Sequence, residues 1–310
     1  GQGERLLKSP DFEVAIQRRF SDRRLVFRNL CKDGDTPGYR DHSGRNSPFT
    51  FPGAETFYTL SKAKDFWGSG HAGSGFAETH DQWLSELKTD LVLAWFGYAE
   101  SFTGAKGLTD FRAELAGWLA HTASQKYNGR SAPQVVLLSP MPLDERTAPQ
   151  GVEAARKVNA DLAAYAQVLH ETAVSKGLLF IDVHDFSQRL FAEAKEPLTK
   201  NGFYLQAAAQ KKISDFIADA IFVSGTPSKG EPVALASAVA DKDWHWEKLF
   251  KVPNGVHVFG RRNKPFGPDN YPAELSKLRE MISLRDEAIW ATASGKRFDV
   301  AAADAKTSPL

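Results

Sequence analysis

Cysteine is almost missing: the 310 residues hold one, Cys31. A lone cysteine excludes an internal disulfide, a cysteine-cluster metal site and a c-type haem, which needs a Cys-x-x-Cys-His run. Excess charge is missing too, since 39 Lys and Arg against 38 Asp and Glu leave a net +1. Chains that grip nucleic acid or an anionic membrane show a basic excess or stripe, so neither partner is expected. The densest basic patch, Arg18-Arg19 with Arg23-Arg24, falls at an expected helix end, where the helix dipole favours cations. No apolar run approaches the ~20 residues of a membrane span, so no membrane insertion is expected. The chain starts at Gly1 with no initiator Met and no visible signal peptide. Its tail from Val300 to Leu310 is rich in Ala, Lys and Pro, as linkers are. Both ends read as cut from a longer protein, whose further domains are expected as partners.

What is present is an alternation of apolar runs of strand length with helix-period stretches, the pattern of an α/β fold with a doubly wound parallel sheet. Strands are expected near 25–30, 91–96, 135–138 and 178–183. Helices are expected from Asp11 to Phe20, around Trp83 to Leu87, around Phe111 to Leu119, from Val152 to Ser175 and from Ala207 to Phe222. No strand precedes the first helix, so the first strand of the sheet is expected upstream of Gly1. The expected division is an α/β domain over 1–224, carrying a long insert at 31–79, and a mostly helical extension over 225–310. In the extension, Val256–Phe259 and a helix from Ala273 to Trp290 follow a helix that ends in Trp244, His245 and Trp246. These tryptophans are expected to pack the extension's core. Loops as long as the insert are uncommon and often functional.

Three stretches carry a resemblance. Arg28-Asn29-Leu30-Cys31-Lys32-Asp33-Gly34-Asp35-Thr36 is similar to the second block of the SGNH (GDSL-type) hydrolases, where a strand ends in a glycine whose N–H points into the site. Phe96-Gly97-Tyr98-Ala99-Glu100-Ser101-Phe102 resembles the third, Gly-x-Asn-Asp. Leu198-Thr199-Lys200-Asn201-Gly202-Phe203-Tyr204-Leu205 resembles the fifth, Asp-x-x-His. The resemblance covers residues 1–222 and implies a flavodoxin-like sheet and ester hydrolysis. Asp241-Lys242-Asp243-Trp244-His245-Trp246 and Ile289-Trp290-Ala291 further resemble the Trp-rich extension of planctomycete-type bacterial members, which implies export to the cell envelope or periplasm.

Such hydrolases use a Ser nucleophile, a His base, an Asp that orients it, and Gly and Asn donors for the oxyanion. Here Gly34 matches the oxyanion glycine, but the Asn position falls on Ala99, the Asp position on Asn201 and the His position on Tyr204. A phenol of pKa ~10 is a poor base at neutral pH. The nucleophile block would lie at or before Gly1; Gly1-Gln2-Gly3-Glu4-Arg5 holds no Ser. Losing one oxyanion donor costs roughly 10²–10³ in rate, and disabling a triad roughly 10⁴ or more. The expected function is therefore a degenerate domain binding a carbohydrate or acylated glycan in the old cleft. The alternative is an ester hydrolase with its nucleophile block upstream, or with a relocated site using Glu100 and His184; a bare scaffold is the third possibility. Asp35, Arg40, His42, Arg45, Asn46 and Gly97 are the candidate ligand-binding residues, since Arg forks suit carboxylates and sugar hydroxyls. His71 and His80 do not form a compact metal motif, and neither metal nor cofactor is expected.

Overall fold

The computed structural model describes residues 2–6, 8–39, 49–56, 79–222, 225, 227–251, 264 and 266–310. In chain order the regular elements are helices α1 (Gln2–Leu6) and α2 (Asp11–Gln17), a 3₁₀ turn (Ala54–Thr56), α3 (His80–Glu86), strand β1 (Leu91–Ala94) and α4 (Tyr98–Ser101). A second 3₁₀ turn (Gly104–Gly107) leads into α5 (Leu108–Ser124), β2 (Gln134–Leu138), α6 (Val152–Lys176), β3 (Leu179–Ile181) and α7 (Val183–Glu193). The chain continues through α8 (Ala207–Ile221), α9 (Pro232–Phe250), α10 (Phe266–Ala293) and α11 (Val300–Asp304).

The chain divides into two compact units: residues 1–3 with 31–209, and residues 4–30 with 210–310. The expected boundary at 224 therefore differs from this division, which gives residues 4–30 and most of α8 to the second unit.

In the first unit the three strands form one parallel sheet in the order β1-β2-β3. The register pairs Leu91 with Gln134 and Ala94 with Leu137, then Val136 with Leu179 and Leu138 with Ile181. Parallel neighbours need a crossover, and helices supply it: α5 lies between β1 and β2 in sequence, α6 between β2 and β3. Phe111 of α5 and Tyr165 of α6 meet with ring centroids 5.1 Å apart, and Leu115, Trp118, Leu137 and Leu169 complete this buried core. Apolar burial of this kind contributes about 25 cal/mol per Å². Helix α6 ends where Gly177 turns left-handed at φ +64°, a conformation without steric penalty for glycine.

The second unit is helical among its described residues. Here the expected strand at 25–30 is corrected: residues 25–30 join no ladder and are assigned no strand. Their carbonyls are met by side chains instead. The Trp290 indole N–H donates to the Leu25 carbonyl (2.9 Å), the Lys242 ammonium to that of Phe27 (3.3 Å) and the Trp246 indole N–H to that of Asn29 (2.8 Å). Buried backbone groups require partners, and this segment finds them on α9 and α10. Lys242, 1% exposed, also reaches Glu13 at 2.6 Å and Asp243. Arg28 forms a two-pronged pair with Asp286. Trp246 is buried and Trp290 packs on the core as expected, whereas Trp244 is 57% exposed. Val256–Phe259 lies outside the described residues. No described helix is long and apolar enough to cross a membrane.

Candidate functional site

The carboxyl ends of β1, β2 and β3 define one edge of the first unit, the position where ligands of open α/β sheets bind. After β1 the chain turns at Gly97, whose φ of +100° favours glycine. An added Cβ there would sit 3.2 Å from Pro140 and 3.5 Å from Tyr165, so the turn is closed to side chains on two counts. Helix α4 follows for a single turn and carries Tyr98, Ala99 and Glu100.

Glu100 Oε2 accepts the Gly97 N–H at 2.9 Å. Its other oxygen, Oε1, is out of water and has no hydrogen-bond partner among the described residues. Desolvation pushes the Glu100 carboxyl up to about 8, with Glu114 and Asp35 adding like-charge repulsion. Glu114 projects from α5; desolvation raises it to about 7, although the Thr36 hydroxyl and the Gly38 amide hydrogen-bond to it. The Glu114 carboxyl carbon would lie 3.2 Å from a Cβ on Gly38. Thus the turn that holds Gly34 and Asp35 is drawn to the same edge as Glu100. Gly34 itself has φ +83°, and apart from its chain neighbours no atom of the described residues lies within 4 Å of where a Cβ would sit. The Tyr165 hydroxyl donates to the Gly104 carbonyl at 3.0 Å, and desolvation with the neighbouring carboxylates pushes it up to about 12.

At the end of β2, Ser139 is a structural connector. Its Oγ donates to Asp182 Oδ1 (3.0 Å) and accepts the His184 N–H (2.8 Å), while its carbonyl accepts the Trp95 indole N–H at 2.8 Å. Asp182 also caps α7 by accepting the Asp185 N–H. His184 is only 7% exposed. Burial lowers its pKa, and the ring hydrogen-bonds the Asn159 backbone. Its Nε2 is buried without a partner among the described residues. At neutral pH this imidazole is uncharged and packed beneath the edge, and no hydrogen bond among the described residues joins it to Glu100.

The 198–205 loop arrives at the same edge. Asn201 Oδ1 accepts the amides of Tyr204 (2.9 Å) and Phe203 (3.4 Å), a local turn of the kind asparagine favours. Thr147 and Thr199 hydroxyls both accept the Gly202 N–H, at 2.9 and 3.1 Å. Buried Asp144 accepts from Arg146 and from the Leu198 amide. This scaffold presents Phe203, whose ring lies 4.8 Å from that of Tyr98. Tyr98 in turn meets Phe102 edge-on at 5.4 Å, and Phe203 meets Tyr204 at 5.8 Å. Phe102 is 73% and Tyr204 42% exposed. Four aromatic rings therefore run together across two loops.

Residues 2 and 3 also reach this region. The Gln2 carboxamide pairs with Met141 in both directions, Nε2 donating to its carbonyl (2.8 Å) and Oε1 accepting its amide (2.6 Å). Of the sequence-derived set, Gly34, Asp35, Gly97, Ala99, Glu100, Asn201 and Tyr204 are brought to one edge. Arg40, His42, Arg45, Asn46 and His71 lie outside the described residues. Two features escaped the sequence reading. Glu114 sat within an apolar helix pattern, and the aromatic group was hidden although Tyr98 and Phe102 stand at i, i+4. No cluster of metal-ligating side chains occurs among the described residues.

No family model matches the chain, and no curated protein does. Among solved structures, a catalytic mutant of an acetylxylan esterase from Geobacillus stearothermophilus is 15% identical, with 53% of this chain and 68% of that one covered at a TM-score of 0.35. A protein assigned as an arylesterase, from Agrobacterium tumefaciens str. C58, is 17% identical, with 61% and 74% covered at a TM-score of 0.37. Neither likeness is close enough to define an activity. What stands is a mixed α/β chain built around a small parallel sheet, with a carboxyl-and-aromatic edge.

Proposed function

We propose that the first unit is a degenerate SGNH-type domain that binds a carbohydrate or acylated glycan at the sheet's carboxyl edge without cleaving an ester. The observation that carries this reading is the aromatic group Tyr98, Phe102, Phe203 and Tyr204, half open to solvent, on the two loops that resemble the third and fifth family blocks. Flat aromatic faces stack on the apolar face of a sugar ring while the phenol oxygens stay wet. Contiguous exposed apolar surface is one mark of a binding site. Tyr204 offers no base at neutral pH, Ala99 no side-chain oxyanion donor and Asn201 no carboxylate, and the Asn201 oxygen is already committed to its own turn. In this reading the sheet derives from a doubly wound one, and the protein is exported to the cell envelope.

The alternative of a hydrolase relocated to Glu100 and His184 gains no support from a buried imidazole tied to Asn159. Affinity electrophoresis through gels holding soluble xylan, glucomannan or hydroxyethylcellulose tests the proposal. Retardation of the wild type, abolished in Phe102→Ala/Tyr204→Ala, is the expected result. Absence of retardation in every gel, together with turnover of p-nitrophenyl acetate, overturns it.

A further inference from the structure

The helical unit ends in a segment whose attachment is unlike the rest of its packing. Helix α11 buries none of its residues, so apolar burial contributes little to holding it. What holds residues 299–308 is a set of polar bonds to one helix. Arg285 of α10 grips both carboxylate oxygens of Asp304, at 2.6 and 2.8 Å. Glu280 accepts the Ser308 hydroxyl (2.6 Å) and amide (2.8 Å), one on each oxygen. The Lys277 ammonium donates to the Ser308 carbonyl at 3.0 Å. We propose that this face of α10 is a docking site for a tail bearing an aspartate and, four residues on, a serine. The chain's own tail fills it in cis, and the tail of a second copy takes its place by exchange.

The face is built independently of the tail. Arg285 is 4% exposed, and a guanidinium so buried needs counter-charge and acceptors. Asp241 of α9 stands 3.0 Å from its Nε, and the Met281 carbonyl accepts from it at 3.2 Å. These two contacts remain when Asp304 leaves. The fork therefore keeps its orientation, and a planar fork binds a carboxylate through two parallel bonds. The neighbours favour the same ligand. Arg285 first, then His245 of α9 and Lys277, hold the Asp304 carboxyl below the usual carboxylate range.

Exchange requires a tail that lets go and a connection that lets it travel. Asp304 is partly and Ser308 fully open to solvent, so water is a ready substitute for the bonds they make. Helix α10 closes at Gly295, φ +77°, where the amides of Gly295 and Lys296 return to the carbonyls of Thr292 and Ala291. Beyond that cap, Arg297 and Phe298 make no hydrogen bond among the described residues. This connection is a hinge, and identical segments exchanged across a hinge are a low-cost route to dimers. The tail is the same in every copy, so a second copy supplies the fitting ligand. In cis the tether raises the tail's effective concentration to about the millimolar range, which keeps the closed monomer dominant in dilute solution.

Two measurements on the full-length chain test the proposal. In the first, a fluorescein-labelled peptide of residues 299–310 is titrated, by anisotropy, with the wild type and with Asp304→Lys, whose tail Arg285 repels. The variant should bind the peptide roughly tenfold or more tightly than the wild type, and a peptide carrying Asp304→Asn should bind neither. Equal binding to both proteins, binding to neither, or equal binding of the two peptides overturns the docking face. An Asp304→Lys protein that fails to fold overturns it as well, because α11 would then be part of the fold and not a detachable tail. In the second, deleting Arg297 and Phe298 shortens the hinge by roughly 7 Å, so the tail falls short of its own face and docks on another copy's. That variant should sediment as a dimer, and adding Asp304→Lys should return it to a monomer. A deletion variant that sediments as a monomer, or a dimer that persists with Asp304→Lys, overturns the exchange.

Discussion

The rings of Tyr98 and Phe203 meet 4.8 Å apart and tilted by 38°, joining the turn after β1 to the loop before α8. Aromatic pairs of this kind contribute about 0.5–1.5 kcal/mol beyond simple burial. Phe203→Ala should therefore lower the melting temperature by a few degrees and weaken glycan binding, while Phe203→Tyr should preserve both. Differential scanning fluorimetry beside the gel-retardation assay separates these results. A Phe203→Ala protein with unchanged retardation would argue against the aromatic platform.

Glu100 titrates unfavourably for the fold. Its carboxyl is raised from the usual 4.5 to about 8 by desolvation. Between those values the folded chain therefore holds a proton that the unfolded chain releases. Stability from this group is complete below about pH 4.5 and declines as pH rises through about 8, by at most ~1.4 kcal/mol per pH unit. Glu114, raised to about 7, adds a decline with the same sign over a narrower window. Glu100→Gln should flatten the slope of urea-unfolding free energy against pH. An unchanged slope between pH 5 and pH 8 would contradict the assignment of a neutral buried carboxyl.

Ester cleavage should be negligible. Turnover of p-nitrophenyl acetate is expected to match buffer, and Ala99→Asn with Tyr204→His should not restore it. Those two changes return an oxyanion donor and an imidazole but no nucleophile, and a base without a nucleophile recovers little of the roughly 10⁴-fold triad contribution. Turnover by the wild type that Glu100→Ala or His184→Ala abolishes would favour the relocated hydrolase.

The second unit's ion cluster makes a paired prediction. Burial works against the charge on Lys242, but Glu13 and Asp243 outweigh it and its pKa is raised. Lys242→Met should destabilise the protein by about 3–5 kcal/mol, because Glu13 is left buried without its counter-ion. Adding Glu13→Leu should recover a large part of that loss. A double variant as unstable as the single would show that packing, and not the orphaned carboxylate, sets the cost. Chemical denaturation followed by tryptophan fluorescence measures both.

The alternation of strand and helix was legible where local pattern decides the outcome. Val92 to Ala94 and Val135 to Leu138 are short apolar runs between long helical stretches, and both became sheet strands. Leu25 to Leu30 has the same local appearance and did not. Its carbonyls are taken by Trp246 and Trp290, 217 and 265 positions along the chain from Asn29 and Leu25. No local window contains those donors. Glu100 could be placed from its position after Gly97, since a glycine turn after a strand opens a sheet edge. Glu114 could not, because a carboxylate between Phe111 and Leu115 reads as one polar position on a helix. Only its contact with Thr36 and Gly38 reveals it as part of the edge.

The Gln2 carboxamide bridges both polar groups of Met141 and so completes a rung that backbone alone would otherwise make. A shorter side chain at position 2 would leave both Met141 groups without that partner, so the 141 segment is fastened by one side chain where a strand ladder would otherwise hold it.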